Sequence, residues 1–83
     1  MGYSEIFSKR IKNLCMSHGI TINHLAALCG LKQSTIDNII HGASKNPQIK
    51  TLHKIASAFN MTLCDFMDFP ELNDYDPEED DAL

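Results

Sequence analysis

Residues 21–42 read TINHLAALCGLKQSTIDNIIHG, and they carry the clearest structural signal in the chain. Their apolar residues recur every three or four positions, which is the spacing of a helix that packs one face on a core. Thr21 can cap a helix with its side-chain oxygen, and Gly30 would end it, because glycine enters the left-handed region without steric cost. A second helix is predicted over residues 33–41. The stretch thus predicts two short helices joined by a tight turn.

The turn has the residues that a steep crossing of two short helices requires. Such a crossing needs a small residue at the contact and a connection that can bend; Ala26 supplies the first and Gly30 the second. The neighbouring apolar side chains would point to one interior; they are Leu25, Cys29, Leu31, Ile36 and Ile39. This arrangement is typical of a helix-turn-helix, in which the second helix stands out from the surface and can enter the DNA major groove.

Helical spacing continues on both sides of this motif. Ser4 is expected to cap a first helix that ends at Gly19. Thr51 is expected to cap a fourth helix that ends at Asn60, and Thr62 to cap a last short helix. No stretch alternates apolar and polar residues for long. The sequence therefore predicts an all-α bundle of five short helices.

Charge is distributed very unevenly along the 83 residues. The formal net charge of −4 argues against nucleic acid as a partner, because phosphate binding needs a basic surface. Residues 1–67, however, hold all seven Lys and Arg with only three acids, whereas residues 68–83 hold eight acids and no Lys or Arg. Residues 1–69 are expected to fold. Residues 70–83 are expected to form a disordered, flexible acidic tail, because clustered like charges keep a segment solvated.

The letters INHLAALCGLKQSTIDNI at residues 22–39 resemble the helix-turn-helix pattern of the phage repressor and Cro family, also called the XRE family. The resemblance extends over residues 5–67. Outside the motif it rests on Ile11, Leu14, Gly19, Gly42, Pro47, Thr51, Leu52, Ile55, Ala56, Phe59, Thr62, Leu63 and Phe66. It implies a lambda-repressor-like fold and a bacterial or phage transcriptional regulator. Such a regulator, expected to be a repressor, would bind double-stranded DNA specifically through the helix at 33–41.

Carried over position by position, the family's roles give candidate DNA contacts. Base contacts are expected at Gln33, Ser34 and Asn38, and a Gln amide can bond adenine at N6 and N7. Backbone contacts are expected at Lys32, Thr35, Lys45 and Asn46. Three positions depart from the pattern. Ile22 stands where Gln is frequent, Lys32 where Ser or Thr often caps, and Asp37 adds a negative charge near the groove face.

No enzymatic activity, cofactor or metal is expected. The three cysteines and four histidines do not show the paired spacing of metal ligands, and no cysteine lies in a C-x-x-C pair. No apolar run is long enough to cross a membrane, and the predicted location is the cytoplasm. Members of this family commonly dimerise on pseudo-palindromic DNA, so a homodimer is a further hypothesis.

A second interpretation comes from a different functional class. The chain could be an antitoxin-like or other protein-interaction module with the same fold, whose acidic tail docks a basic partner. Two other hypotheses for the tail are a solvating extension and an intramolecular cover that competes with DNA for the basic domain. In the case of a cover, removal of residues 70–83 would tighten DNA binding. The sequence leaves these alternatives open.

Overall fold

A computed structural model describes residues 2–43 and 45–78, and these form six helices. The helices are α1 (Tyr3–His18), α2 (Ile22–Cys29), α3 (Gln33–Ile40), α4 (Ile49–Ala58), α5 (Leu63–Met67) and α6 (Pro70–Asn73). Within these described ranges there is no strand, so the all-α prediction is confirmed. None of the helices in this part of the chain has both the length and the apolar composition needed to cross a membrane.

Three helices end where the sequence predicts, close to a residue in the left-handed region. Gly19 and Gly30 follow α1 and α2 with φ of 66° and 67°, in the left-handed region that glycine favours. Asn60, the predicted stop after α4, has φ of 58°. A non-glycine residue tolerates this region best when it is Asn or Asp. Each end therefore follows from the residue that stands there.

Two of the predicted helix caps are confirmed. The Thr21 hydroxyl accepts a hydrogen bond from the His24 N–H at 3.0 Å, at the start of α2. The Thr62 hydroxyl accepts one from the Asp65 N–H, also at 3.0 Å, at the start of α5. Such a bond satisfies a backbone donor that has no partner within its own helix.

Two other predicted caps are wrong. α1 begins at Tyr3 with Gly2 before it, so Ser4 lies inside the helix, where it is buried. α4 begins at Ile49, and the Gln48 carbonyl closes its first turn by accepting the Leu52 N–H at 3.1 Å. Thr51 is consequently the third residue of α4 and not its cap. In both cases the helix begins before the residue with the best capping side chain.

The core is a single cluster to which α1–α5 and Phe69 contribute. Its buried members are Ile6, Phe7, Ile11, Cys15, Leu25, Ala26, Ile36, Ile39, Leu52, Ile55, Ala56, Phe59, Phe66 and Phe69. The Phe7 and Phe66 rings stack with centroids 6.2 Å apart, and the Phe69 ring meets Phe7 edge-on at 6.1 Å. Aromatic pairs at such separations stabilise beyond the apolar area that they bury.

α6 is one helix more than the sequence predicts, and it lies in the segment expected to be a tail. Pro70 occupies its first turn, a position that proline favours because its φ is already helical. Leu72 packs on the core, and the Tyr75 ring meets the Tyr3 ring edge-on at 4.9 Å. Phe69, Leu72 and Tyr75 recur every three residues, an apolar spacing that the acidic composition hides. Residues 79–83 of the predicted tail lie outside the described residues.

Arg10 connects α1 to the end of α5. Its Nε donates to the Phe66 carbonyl and its Nη2 to the Asp65 carbonyl, both at 3.0 Å. The guanidinium carbon also lies 4.9 Å from the centre of the Phe69 ring. Carbonyls near a helix C-terminus lack full helical partners, and bonds from a charged donor are the stronger kind. One basic side chain of the domain is therefore engaged in holding the fold.

We expect Arg10→Met to lower the free energy of unfolding by about 1–3 kcal/mol, since two charge-assisted hydrogen bonds are lost while the aliphatic stem is kept. Urea denaturation followed by circular dichroism measures the change. Lys9→Met is the matched control, because it removes the same charge from an exposed neighbour on α1. Equal losses in the two variants would contradict the structural role of Arg10.

Candidate nucleic-acid interface

Backbone hydrogen bonds fix the turn between α2 and α3. The Gly30 N–H donates to the Ala27 carbonyl and the Leu31 N–H to the Ala26 carbonyl, both at 3.2 Å. Ala26 itself is buried, as the small residue at this contact was predicted to be. The turn therefore determines where α3 begins and which of its sides meets the core.

α3 has one buried side and one exposed polar side. Ile36 is fully buried and Ile39 is 2% exposed. Gln33, Ser34 and Asn38 are exposed on the opposite part of the helix circumference. A helix turns 3.6 residues at a time, so residues 33, 34, 37 and 38 occupy one continuous arc, which we call the polar arc. The three residues expected to contact bases all lie on it.

Within the polar arc, Gln33 and Asp37 are bonded to each other. Gln33 Nε2 donates to Asp37 Oδ1 at 2.9 Å, across one turn of the helix. Asp37 is only half-exposed. The sequence singled out both residues, but it did not pair them.

A polar hollow of about 260 Å³ lies between α3 and the loop that precedes α4. It is lined by Thr35 and Asn38 from α3 and by Asn46 from the loop, three of the residues expected to contact DNA. Gln48 and Thr51 line it as well, and the sequence did not indicate either of them as a candidate contact. Thr51 was expected to be a helix cap, whereas the placement of Gln48 depends on the path of the loop before α4.

Lys32 precedes α3 as its N-cap residue, and its side chain makes no capping hydrogen bond with the described residues. The side chain is exposed beside the polar arc. The start of α2 differs, because Thr21 caps it and Ile22 packs against the core. Packing on the core thus explains why Ile stands at position 22 instead of Gln. At position 32, Lys in place of Ser or Thr puts a positive charge at the N-terminus of α3.

Three further lysines lie on two other parts of the surface. Lys45 is exposed on the loop between α3 and α4, next to Asn46. Lys50 lines a separate hollow of about 400 Å³ together with Lys54 and Leu28. None of the residues that line that hollow also lines the polar hollow beside α3.

Two of the cysteines are held in the neutral thiol form. Burial raises the pKa of Cys15, and burial raises that of Cys29 to about 11, with Cys15 adding to the rise and Lys54 opposing it. A thiol is a weak nucleophile and metal ligand until it is deprotonated. Cys64 is exposed. Among residues 2–43 and 45–78, no group of three or more His, Cys, Asp or Glu side chains is arranged to hold a metal ion.

The sequence matches one family model, and the fold matches a solved structure. Residues 10–71 match the family model of the Cro/C1-type helix-turn-helix DNA-binding domain. The fold is similar to the crystal structure of the prophage Lp1 protein 11, with a TM-score of 0.80 and 36% sequence identity. That match covers 88% of this chain and 97% of the other. No curated protein matches the sequence at a significant level.

We expect Lys32→Ser to be more stable than Lys32→Ala by about 1 kcal/mol, because a Ser hydroxyl can accept a backbone N–H at the start of α3. Both variants lose the same positive charge, so their difference isolates the cap. Urea denaturation at one ionic strength measures it. Indistinguishable unfolding midpoints would mean that this helix start does not accept a side-chain cap.

Proposed function

Since the chain belongs to the family of Cro/C1-type helix-turn-helix DNA-binding domains, we propose that it regulates transcription, as a repressor, by reading a specific duplex sequence with α3 in the major groove. The observation that carries this proposal is the polar arc, which stands opposite the buried Ile36 and Ile39. A helix held by its apolar side while it exposes amides and a hydroxyl has the chemistry of direct base readout.

Gln33, Ser34 and Asn38 are the proposed base contacts. All three are exposed, and Gln33 stands at the first position of α3, where recognition helices of this kind contact base edges. Amide side chains can donate and accept at once, which matches the major-groove edge of adenine. The Ser34 hydroxyl can do either, so it discriminates less among bases.

The DNA backbone contacts are proposed at Lys32, Thr35, Lys45 and Asn46. Thr35 and Asn46 line the same polar hollow, which a phosphate of a DNA strand beside α3 would face. Gln48 and Thr51 extend this set, since they add an amide and a hydroxyl to the same hollow. Lys32 holds a charge where a capping hydroxyl would stabilise the helix, which supports a role for it in phosphate binding.

A homodimer is part of the proposal. A domain with about four or five phosphate contacts binds weakly and with strong dependence on salt. Two copies on a pseudo-palindromic site double the contacts and the length of sequence that is read. The proposal includes no enzymatic activity, no cofactor and no metal, in keeping with a family that is typically non-enzymatic, and a cytoplasmic location beside the DNA.

Of the three hypotheses for the acidic segment, we favour the intramolecular cover. Leu72 of α6 lines an apolar groove of about 170 Å³ together with Asn46 and Pro47 of the loop before α4. Glu71 precedes Leu72 and Asp74 directly follows α6, so negative charge lies within two residues of the side chain that shares this groove with Asn46. Such charge repels phosphate most strongly at low salt. Docking of a basic protein partner, as in an antitoxin-like module, is the alternative.

We expect selection from a random duplex pool to enrich one sequence. Its affinity should fall by about a hundredfold between about 50 and 200 mM salt if four phosphates are contacted. Fluorescence titrations against the selected duplex measure both quantities. A pool without enrichment, or an affinity indifferent to salt, would contradict the proposal.

Variants separate base contacts from backbone contacts. Gln33→Ala should relax the preference at one base position by about 1–3 kcal/mol. Lys45→Ala should weaken all sequences equally and reduce the salt slope by about one. Lys54→Ala is the control, because it removes the same charge from a residue of α4 that lines the other hollow. Equal effects of Lys45→Ala and Lys54→Ala would argue against contact of the loop with DNA.

For the cover, we expect the combined change Asp74→Asn, Asp76→Asn and Glu78→Gln to tighten DNA binding at low salt and to leave it unchanged at high salt. These substitutions keep α6 packed, whereas deletion of residues 70–83 would also remove the core contacts of Leu72 and Tyr75. At position 76 the amide retains an oxygen that accepts the Glu78 N–H. Unchanged affinity at about 50 mM salt would overturn the cover and leave protein docking and the solvating extension as the alternatives.

A further inference from the structure

The side-chain amide of Gln33 is held by Asp37 on the polar arc, with Nε2 2.9 Å from Oδ1. A carboxylate only accepts hydrogen bonds, so the NH2 group of the amide must face Asp37 and Oε1 must face away. We propose that Asp37 is a positioning residue, which fixes the Gln33 amide in the orientation that binds adenine and disfavours guanine. This inference rests on the proposed function, because it specifies how the same surface chooses a base.

Held in this way, Gln33 presents one acceptor and one donor. The acceptor is Oε1, and the donor is the amide N–H that Asp37 does not bind. The major-groove edge of adenine presents the complementary pair, an N6 amino donor and an N7 acceptor. The bond to Asp37 therefore orders the side chain before DNA arrives, which reduces the entropy lost on binding.

Guanine requires the opposite arrangement. Its O6 and N7 atoms are both acceptors, so a glutamine would have to turn its NH2 group toward them. That turn breaks the bond between Gln33 and Asp37 and brings Oε1 toward the carboxylate. The charge of Asp37 also lies beside the guanine acceptors, whose lone pairs it repels. Without Asp37, neither of these obstacles would oppose the binding of guanine by Gln33.

Asp37 improves the choice between two bases but lowers the overall affinity for DNA. It is the one acid within α3, and a negative charge near phosphates weakens binding to every sequence. A surface evolved for affinity alone would do better with a neutral residue here. The carboxylate thus lowers affinity in general and raises the difference between two bases, which is how selectivity against a competitor is obtained.

Two substitutions separate the hydrogen bond from the charge. Asp37→Ala removes both, whereas Asp37→Asn removes the charge and keeps an oxygen that accepts from Gln33 Nε2. We expect the adenine-to-guanine ratio at one position of the selected duplex to fall by about tenfold in Asp37→Ala and by less in Asp37→Asn, whose oxygen still accepts from Gln33 but whose NH2 group also allows the reversed pairing. Both variants should bind all sequences more tightly at low salt, and thermal melts confirm that they fold.

The outcomes are distinct. If Asp37→Ala keeps the wild-type base preference, Asp37 does not position Gln33. If both variants lose the preference equally, the charge discriminates and the hydrogen bond does not, which also overturns the inference. In these cases the wild-type pool is still enriched, so the proposed function survives. A wild-type pool without enrichment contradicts the proposed function and this inference together.

The free protein offers a test that does not involve DNA. The side-chain amide resonances of Gln33 should shift in Asp37→Ala and remain closer to the wild-type values in Asp37→Asn, because only the first variant lacks an acceptor. Gln48 provides an internal reference on the same spectra, since it lies on the loop side of the polar hollow. Gln33 resonances that are identical in the wild type and in Asp37→Ala would overturn the pairing directly.

Discussion

The surface proposed to read DNA depends on the burial of Ile36 and Ile39. α3 has only eight residues, and a helix of that length is not stable in water by itself. Burial of two isoleucine side chains contributes about 3–6 kcal/mol to holding it against the core. The turn at Gly30 then fixes its start. The polar arc is therefore displayed by the core, and a change that loosens the core would also loosen the interface.

Features that depend on a few neighbouring residues could be predicted from the sequence. The ends at Gly19 and Gly30 follow from the freedom of glycine at positive φ, and the caps at Thr21 and Thr62 follow from hydroxyls three residues before a backbone donor. The start of α4 could not be predicted in the same way. Thr51 competes there with a turn that begins earlier, and packing decides between them.

Contacts between distant parts of the chain could not be predicted from the sequence. The acidic composition of the last residues conceals the apolar spacing of Phe69, Leu72 and Tyr75. Their ring partners, Tyr3 and Phe7, lie near the other end of the chain. Periodicity placed Gln33 and Asn38 on the exposed side of α3, as the structure has them. It could not locate Gln48 in the polar hollow, because that placement depends on the path of a loop.

The contact between the Tyr3 and Tyr75 rings joins nearly opposite ends of the described chain, and this has a kinetic consequence. α6 has four residues, none of them buried, so few interactions oppose its release. Its opening is a local event that leaves the bundle of α1–α5 intact, in the manner of the least protected units in hydrogen exchange. α6 can therefore detach from the bundle more often than the protein unfolds. The distance between α6 and the loop before α4 is then set by the opening and closing of α6, which is faster than unfolding of the whole domain.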